Sequence, residues 1–409
     1  MKKFGLITLL GTALFFSFYA FREKPSFKPL RGYHCLRGEV ISKNFNRVWF
    51  ISDNHPYYFY TKRKLFPSDG IEVCGTFRGI RLSKVDRLKV DRNLLQRLRV
   101  EIHETLKWRA LKSARTKVEK KLISALLFGE NWFSRGERKK LSHLGIYHLI
   151  VISGMHYALL FTFFLIFPVR WKFRYWVALL FFSFFTFLLL FPKAPAYRAF
   201  FSFALFLLAK LLEQNYSSLK ALLLAYSPSL WLFPHWFTNI GFWLSYLASG
   251  SLILYYGSKK VPEESFFKNF FGKFLGLEAT LVVSAAIFPL LAVYLHFFSL
   301  GSFLYAFPFT LVVEAFLITE ILNMFTFWFF PPLLELQHKL ADLFGFLFCN
   351  LPPVGVIEVS SFHQWAVFLL PALFLFGLIV IKEKRFPFAV LFFFAELLLL
   401  FLFHYGDHL

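Results

Sequence analysis

From residue 146 onward the chain is a succession of apolar runs, at 146–168, 175–191, 196–212, 218–233, 238–256, 275–297, 303–330, 333–351, 363–381 and 386–403, separated by short polar connectors. A bilayer core about 30 Å thick takes roughly 20 apolar residues as a helix, and inside it every backbone N–H and C=O must be paired within the chain. The runs therefore predict membrane helices, about ten or eleven segments with an N-terminal one included, several of them near the short limit for a span. Threaded alternately, the clusters Arg170, Lys172, Arg174; Lys259, Lys260, Lys268, Lys273; and Lys382, Lys384, Arg385 fall on one side. The positive-inside rule makes that side the cytoplasm. Run 333–351, with Glu335, Lys339 and Asp342, reads as an interfacial or partly buried helix as readily as a span.

Only 17% of the chain is charged, against about 25% in soluble domains. Residues 1–145 nevertheless hold 31 of the 46 Lys/Arg and 12 of the 24 Asp/Glu, a net +19, and the remainder carries +3. A basic part beside a nearly neutral apolar part predicts a domain that meets an anion, nucleic acid or lipid head groups, next to a membrane domain. Residues 1–24 read as an uncleaved anchor: after Met1, Lys2 and Lys3 an apolar run reaches Phe21, and Phe16, Phe18 and Tyr19 offer no small-residue cleavage site.

Residues 33–91 alternate like strands, at Tyr33–Ile41, Asn46–Ser52, Pro56–Thr61, Ile71–Phe77 and Arg81–Val90, with breaks at Ser42–Asn46 and Pro67–Gly70. Five short strands fit a small barrel, an OB-fold first and an SH3-like barrel second. Behind an anchor whose start is cytoplasmic, the barrel lies outside. Cys35 and Cys74, in the first and fourth strands, then form a disulfide if the compartment oxidises them, or stay buried thiols. Residues 92–145 read as a basic amphipathic helical region. Trp108, Leu111, Val118, Leu122 and Leu126 recur at helical spacing, and Lys107, Arg109, Lys112, Arg115, Lys117, Lys120 and Lys121 offer a face to head groups or DNA. The helical membrane domain spans 146–405.

The stretch LISALLFGENWFSRGERKKLSHLGIYHLIVISGMHY, Leu122–Tyr157, sets His143, His148, Ser153, Gly154 and His156 in or beside an apolar run. Polar groups at that depth face a cavity or another helix. Ser153 and His156, three apart, suit a nucleophile and base but lack an identifiable orienting acid. The histidine spacings of five and eight form no recognised ligand set, so no metal is expected. A polar helix lining a path is the remaining reading. Further intramembrane polar groups are Arg198, Asn239, Ser245, Glu278, Glu314, Glu320 and Glu396, for which mutual pairing is the plain explanation. Arg198 also has the planar fork that holds a phosphate. In the barrel, Trp49, Phe50, Tyr57, Tyr58, Phe59 and Tyr60 lie close to Arg47, Lys62, Arg63 and Lys64. Alternation sends about half of these aromatics into the core. The exposed half, for which Trp49, Tyr58 and Tyr60 are the candidates, would stack bases beside Arg47, Lys62 and Arg63; Lys107, Arg109 and Lys112 extend that basic surface. No phosphate-binding loop and no metallonuclease cluster is present, so neither enzymatic activity nor a cofactor is expected.

LSHLGIYHLIVISGMHYALL resembles the helix of ComEC competence proteins that opens with an H-L-x-x-I-S-G-x-H signature. PKAPAYRAFFSFALFLLA (192–209) is similar to the family's Pro-x-x-Arg-Ala helix start, NIGFWLSYLASGSLILYY (239–256) to its D-x-G-F-x-L-S-F-x-A segment, and AIFPLLAVYLHFFSLGSFLYAFPF (286–309) continues the likeness. The resemblance covers roughly 33–381. It implies a polytopic inner-membrane channel that passes single-stranded DNA during natural transformation, with an extracytoplasmic OB-fold-like barrel. By position it marks Ser153, Gly154, His156, Arg198, Gly241, Leu244 and Ser245 as signature or pore residues, with Asn239 where an acid is common and Trp243 where Gln is common. As partners it implies single-stranded DNA, membrane lipids, a DNA-delivery protein outside and a motor ATPase inside. Many members continue into a metallo-β-lactamase-like domain; this sequence ends at Leu409 without one, which implies a separate nuclease. The rival readings are a transporter of a lipid or other small anion, and an intramembrane serine hydrolase using Ser153 and His156.

Overall fold

The structure, a computed structural model, describes residues 29–396 apart from 45–46, 54, 62, 64, 66–68, 167–170, 191, 216, 258–276, 359–365, 382–387, 390 and 393–394. The expected anchor over 1–24, the basic loops at 259–273 and 382–385 and most of run 386–403 lie outside the described residues.

The five expected strands form: β1 (Leu30–Asn44), β2 (Arg47–Ser52), β3 (His55–Tyr60), β4 (Gly70–Gly79) and β5 (Arg81–Asp91). They close into a barrel in the order β1-β2-β3-β5-β4, with β4 antiparallel to β1 and β3 parallel to β5. That order is the OB-fold's and decides against an SH3-like barrel. Strict alternation builds the core: Val48 and Phe50 of β2 and Tyr57 and Phe59 of β3 turn inward onto Val40, Ile71, Val73, Phe77 and Leu82. A break is expected at Ser42, yet β1 runs on to Asn44. A bulge between Val40 and Ser42 bends it from its pairing with β4 to its pairing with β2. Glycine is obligatory where strands approach this closely: a methyl on Gly38 would lie 2.1 Å from the Ile51 carbonyl oxygen, and one on Gly75 1.9 Å from that of Lys84. Cys35 stands opposite Cys74 across β1 and β4, and the two are bonded. In the chain-entropy picture such a cross-link over about 40 residues stabilises by roughly 4 kcal/mol.

Three helices follow, α1 (Leu94–Ser113), α2 (Lys117–Leu126) and α3 (Arg135–His143), each opened by a capping box: Asn93 with Gln96, Thr116 with Glu119, Ser134 with Glu137. At the exit from the barrel Arg92 grips the buried Asp69 through two hydrogen bonds of 2.7 and 2.6 Å. The body comprises a short 3-10 helix (Tyr147–Ile150), α4 (Gly154–Ile166), α5 (Trp171–Phe184, continued by a π turn at Phe185–Leu189), α6 (Ala194–Leu211), α7 (Ser218–Leu232), α8 (Ile240–Tyr256), α9 (Leu277–Leu295), α10 (Gly301–Phe325), α11 (Pro331–Asn350) and α12 (Ala366–Val380). A two-stranded ladder pairs β6 (Phe297–Ser299) with β7 (Val356–Glu358).

Among the described residues four helices are long and apolar enough to cross a membrane: Lys172–Leu189, Ala194–Leu211, Glu278–Leu295 and Gly301–Phe325. The protein is thus a polytopic helical membrane protein with an N-terminal barrel. Run 146–168 is not one helix. Val151–Ser153 is non-helical, and α4 begins at Gly154. The ambiguous run 333–351 becomes α11, which is partly buried: Gln337 and His338 turn into the protein and hydrogen-bond to the buried Glu119 at 2.7 Å each, while Leu336, Leu343 and Phe346 are exposed.

Helix α1 is anchored by polar contacts. Arg99 and His103 donate to the carbonyls of Leu190 and Leu189, groups that the end of the α5 π turn leaves unpaired. Lys107 donates to both oxygens of Glu130 at 2.6 Å, and His103 Nε2 lies 3.4 Å from the same carboxylate. Burial alone would raise the Glu130 carboxyl. The hydrogen bonds from His103 and Lys107 and their charge outweigh it and hold the group at about 2.

Two measurements check these contacts. Intact mass after denaturing alkylation is expected to show one adduct, at Cys349, without reductant and three with it; three adducts without reductant would remove the bridge. Because Glu130 titrates lower in the folded protein than its usual 4.5, its stabilising contribution is full above that value and is lost as pH falls from about 4.5 through about 2. The thermal midpoint of the wild type is expected to fall more steeply over that window than that of Glu130→Gln, and equal slopes would contradict the assignment.

Candidate functional site

Two sets of residues stand out, one on the barrel and one among the helices. The outward side chains of β2 and β3 form an aromatic strip with guanidinium groups laid over it. Arg47 lies 4.7 Å from the Trp49 ring centre and 4.1 Å from that of Tyr58. The Trp49 and Tyr58 rings are 4.8 Å apart, and those of Tyr58 and Tyr60 6.1 Å apart. Arg81 extends the strip, 5.3 Å over Tyr60. Sequence reasoning named Arg47, Trp49, Tyr58 and Tyr60 but missed Arg81. Arg81 reaches the strip only because barrel closure sets β5 beside β3, and that closure leaves no local signal.

The other named basic residues fare differently. Arg63 is exposed and donates to the Leu88 carbonyl at 2.8 Å. Lys62 lies outside the described residues. On α1, Lys112 lies 4.8 Å over the exposed ring of Trp108 and Arg109 5.4 Å over Phe327, whereas Lys107 turns inward to Glu130.

Within the body the three stretches that carry the family likeness converge. Helix α4 packs on α6 and α10, and α6 on α8. Gly154, the first residue of α4, faces Arg198 of α6: a methyl group there would sit 3.5 Å from Nη1 and 3.6 Å from Nη2. Any longer side chain would fill the space before the guanidinium. From the other side Arg198 donates through Nε (3.1 Å) and Nη2 (2.8 Å) to the Ser245 hydroxyl of α8. Arg198 is 8% exposed and, among the described residues, has no carboxylate partner. Pairing with Glu278, Glu314, Glu320 or Glu396, the plain expectation, is not what the fold builds. Asn239 caps α8, its Oδ1 accepting from the Gly241 N–H at 2.8 Å. An acid and an asparagine cap equally well, so the Asn at this position changes nothing structurally. Trp243 donates its ring N–H to the Phe237 carbonyl at 2.8 Å.

Next to this cation Ser153 and His156 form the start of α4. The Ser153 N–H donates to His156 Nδ1 at 3.1 Å, and the Ser153 hydroxyl lies 2.9 Å from the same nitrogen. A side chain at the third helical position reaching back to the cap's N–H is half of a capping box. The histidine is fully buried, and its Nε2 faces Glu314 of α10 at 3.8 Å. Neither that nitrogen nor either oxygen of Glu314 has a hydrogen-bond partner among the described residues. Glu314 was legible as an intramembrane acid. That it meets His156, 158 positions away, was not. Ahead of α4, Gly145 adopts a left-handed φ of 73° and packs 2.4 Å, measured from a methyl placed on it, from the Ser302 nitrogen, which seats the HLGIYHLIVIS loop on the start of α10.

The arrangement thus presents a buried guanidinium at the first turn of a helix, with small residues before it and an acid and imidazole behind. A helix start favours anions, and a buried cation lacking an acid favours them more strongly. Among the described residues no cluster of three or more His, Cys, Asp or Glu could hold a metal ion. No curated protein and no solved structure matches the chain. The family model described as Competence protein matches residues 126–384, which contain Gly154, His156, Arg198, Asn239, Ser245 and Glu314. The family's role is in DNA uptake. With the match covering more than half of its length, the chain belongs to the competence protein family, the ComEC family.

Proposed function

We propose that the protein is the channel through which one strand of DNA crosses the cytoplasmic membrane during natural transformation, with its barrel on the outer side. The observation that carries this reading is Arg198, a buried guanidinium whose described partner is a neutral serine hydroxyl. Burying an unpaired charge costs several kcal/mol. A passing phosphate would offset that cost at each step of a polyanion's transit, and Gly154 sets no side chain against the guanidinium. The barrel supports the same reading, because β2 and β3 form the face on which OB-folds bind oligonucleotides, and here it carries Trp49, Tyr58 and Tyr60 interleaved with Arg47 and Arg81. Arg63, Arg109 and Lys112 are further basic candidates for that binding, as is Lys62, which lies outside the described residues. The Cys35–Cys74 bridge fits an oxidising compartment, hence the outer side. A delivery protein outside and a motor ATPase inside complete the proposal by family likeness.

An intramembrane serine hydrolase gains one observation, the acid that Ser153 and His156 lacked. The Ser153 N–H, however, already occupies the imidazole nitrogen that would have to take the hydroxyl proton, and that favours a capping role. Labelling by a serine-directed phosphonate that disappears in Ser153→Ala would revive the hydrolase. A small-anion or lipid transporter would use Arg198 equally well and predicts vesicle binding without oligonucleotide binding.

Arg198→Ala is expected to lower transformation in the source organism by at least about tenfold, a loss of 1.4 kcal/mol or more, with DNA still accumulating in the periplasm. Unchanged transformation would sink the channel. For the solubilised full chain, Trp49→Ala with Tyr58→Ala is expected to weaken oligo(dT) binding by about 1–3 kcal/mol per stacked base. Wild-type affinity should fall by about 0.7 log units per neutralised phosphate for each tenfold rise in salt. A flat salt response would remove the electrostatic premise.

A further inference from the structure

Helix α1 crosses the ends of two apolar spans. Its His103 and Arg99 hold the carbonyls of Leu189 and Leu190, where the span Lys172–Leu189 ends. Its Arg109 lies 5.4 Å over Phe327, just past the end of the span Gly301–Phe325. About 15 Å of helix separates Arg99 from Arg109. A helix laid across span ends lies at the boundary between hydrocarbon and head groups.

The turn that Arg109 covers is strained in a way that leaves phenylalanine outside. Phe327 and Trp328 both adopt left-handed backbone, with φ of 50° and 60°, a region that bulky residues rarely enter. Trp328 is held inside by its backbone N–H on the Asn323 carbonyl (2.7 Å) and its ring N–H on Glu320 (3.3 Å). Phe327, Phe329 and Phe330 are 54%, 79% and 49% exposed. They continue the exposed apolar stripe of α10, where Leu304, Phe307, Leu311 and Phe325 share one helix face. Such a stripe on a membrane span faces lipid, so the three rings carry that surface past the end of the span. Basic side chains rim them. Lys112 lies 4.8 Å over the exposed ring of Trp108, next to Arg109 in the chain. Among the described residues neither Arg109 nor Lys112 forms an ion pair, and Glu335 of α11 is already held by Arg115 at 3.3 Å and Lys339 at 3.9 Å. Aromatic rings at a bilayer boundary anchor a protein there, and basic side chains beside a span end attract anionic head groups.

We propose that Trp108, Arg109 and Lys112 of α1, with Phe327, Phe329 and Phe330 of the α10–α11 turn, form a binding surface for an acidic phospholipid. The rings lie in the acyl boundary, and the two cations hold the head-group phosphate. Arg109 and Lys112 would attract DNA as well; the phenylalanines decide for lipid, because they extend the lipid-facing stripe of a span. The inference stands apart from the channel reading, which rests on Arg198 and the barrel strip.

The test uses the purified full chain in detergent, with bound lipid counted by native mass spectrometry as dioleoyl phosphatidylglycerol or dioleoyl phosphatidylcholine is added. The wild type is expected to prefer phosphatidylglycerol. Arg109→Gln with Lys112→Gln is expected to lower that preference roughly thirtyfold, for two basic side chains at an anionic surface, and Arg109→Lys with Lys112→Arg to keep it. Arg135→Gln with Lys139→Gln, the same loss of charge from exposed positions of α3, is the control. An equal loss in the control, or no loss in the α1 variant, would overturn the assignment. So would displacement of the lipid by inorganic phosphate, which marks a free-anion site, or by oligo(dT), which returns the pair to DNA. The rings are checked in lipid nanodiscs with an environment-sensitive dye on Phe329→Cys in a Cys349→Ser background. Blue-shifted emission, quenched by lipid spin-labelled on its acyl chain, is expected; water-like, unquenched emission would overturn the insertion of the turn.

Discussion

Helices α4 and α8 pack on α6 at a guanidinium that is buried without an acid partner among the described residues. Arg198 is held by the hydroxyl of Ser245 and faced by the backbone of Gly154, so α4, α6 and α8 meet at a charged point where a membrane protein usually places small apolar residues. The caps of these helices serve that meeting. Asn239 starts α8 and His156 with Ser153 starts α4, so each helix begins with one of its free N–H groups satisfied. The apolar packing of these helices is dense: Tyr157, Phe182 and Phe185 of one cluster, and Tyr197, Trp236 and Phe242 of another, are almost wholly buried.

The basic N-terminal third divides its charge between structure and surface. Arg92, Arg99, His103 and Lys107 are consumed in tying the barrel exit and α1 to buried partners. Those contacts give α1 a fixed seat, while Arg109 and Lys112, farther along the same helix, lie over aromatic rings. Glu119 does the same for α2: it receives Gln337 and His338 of α11 as well as the Arg115 N–H, a fully satisfied buried carboxylate that links the basic region to the far end of α10 and α11. A net charge of +19 over that third therefore overstates the charge open to a ligand.

The sequence alone determined what depends on neighbours in the chain. Period-two alternation placed all five strands within a few residues, apolar length marked the helices, and Cys35 and Cys74, falling in the first and fourth strands, left a bridge open as one of two readings, which the register of β1 on β4 then decided. It also marked Gly154, Arg198, Asn239 and Ser245 as polar or small positions in apolar surroundings, which is a local anomaly. Tertiary structure decided what depends on contact between distant segments. Only barrel closure brings Arg81 beside Tyr60, only packing turns Lys107 inward while leaving Arg47 over Trp49, and only the crossing of α4 with α10 sets Glu314 against His156. The physical reason is the range of the forces. Hydrophobic periodicity and capping act within a few residues and leave their trace in the sequence. Which buried charge finds a partner is fixed by three-dimensional packing, and among the described residues that packing leaves Arg198 without a carboxylate and Glu314 without a hydrogen bond.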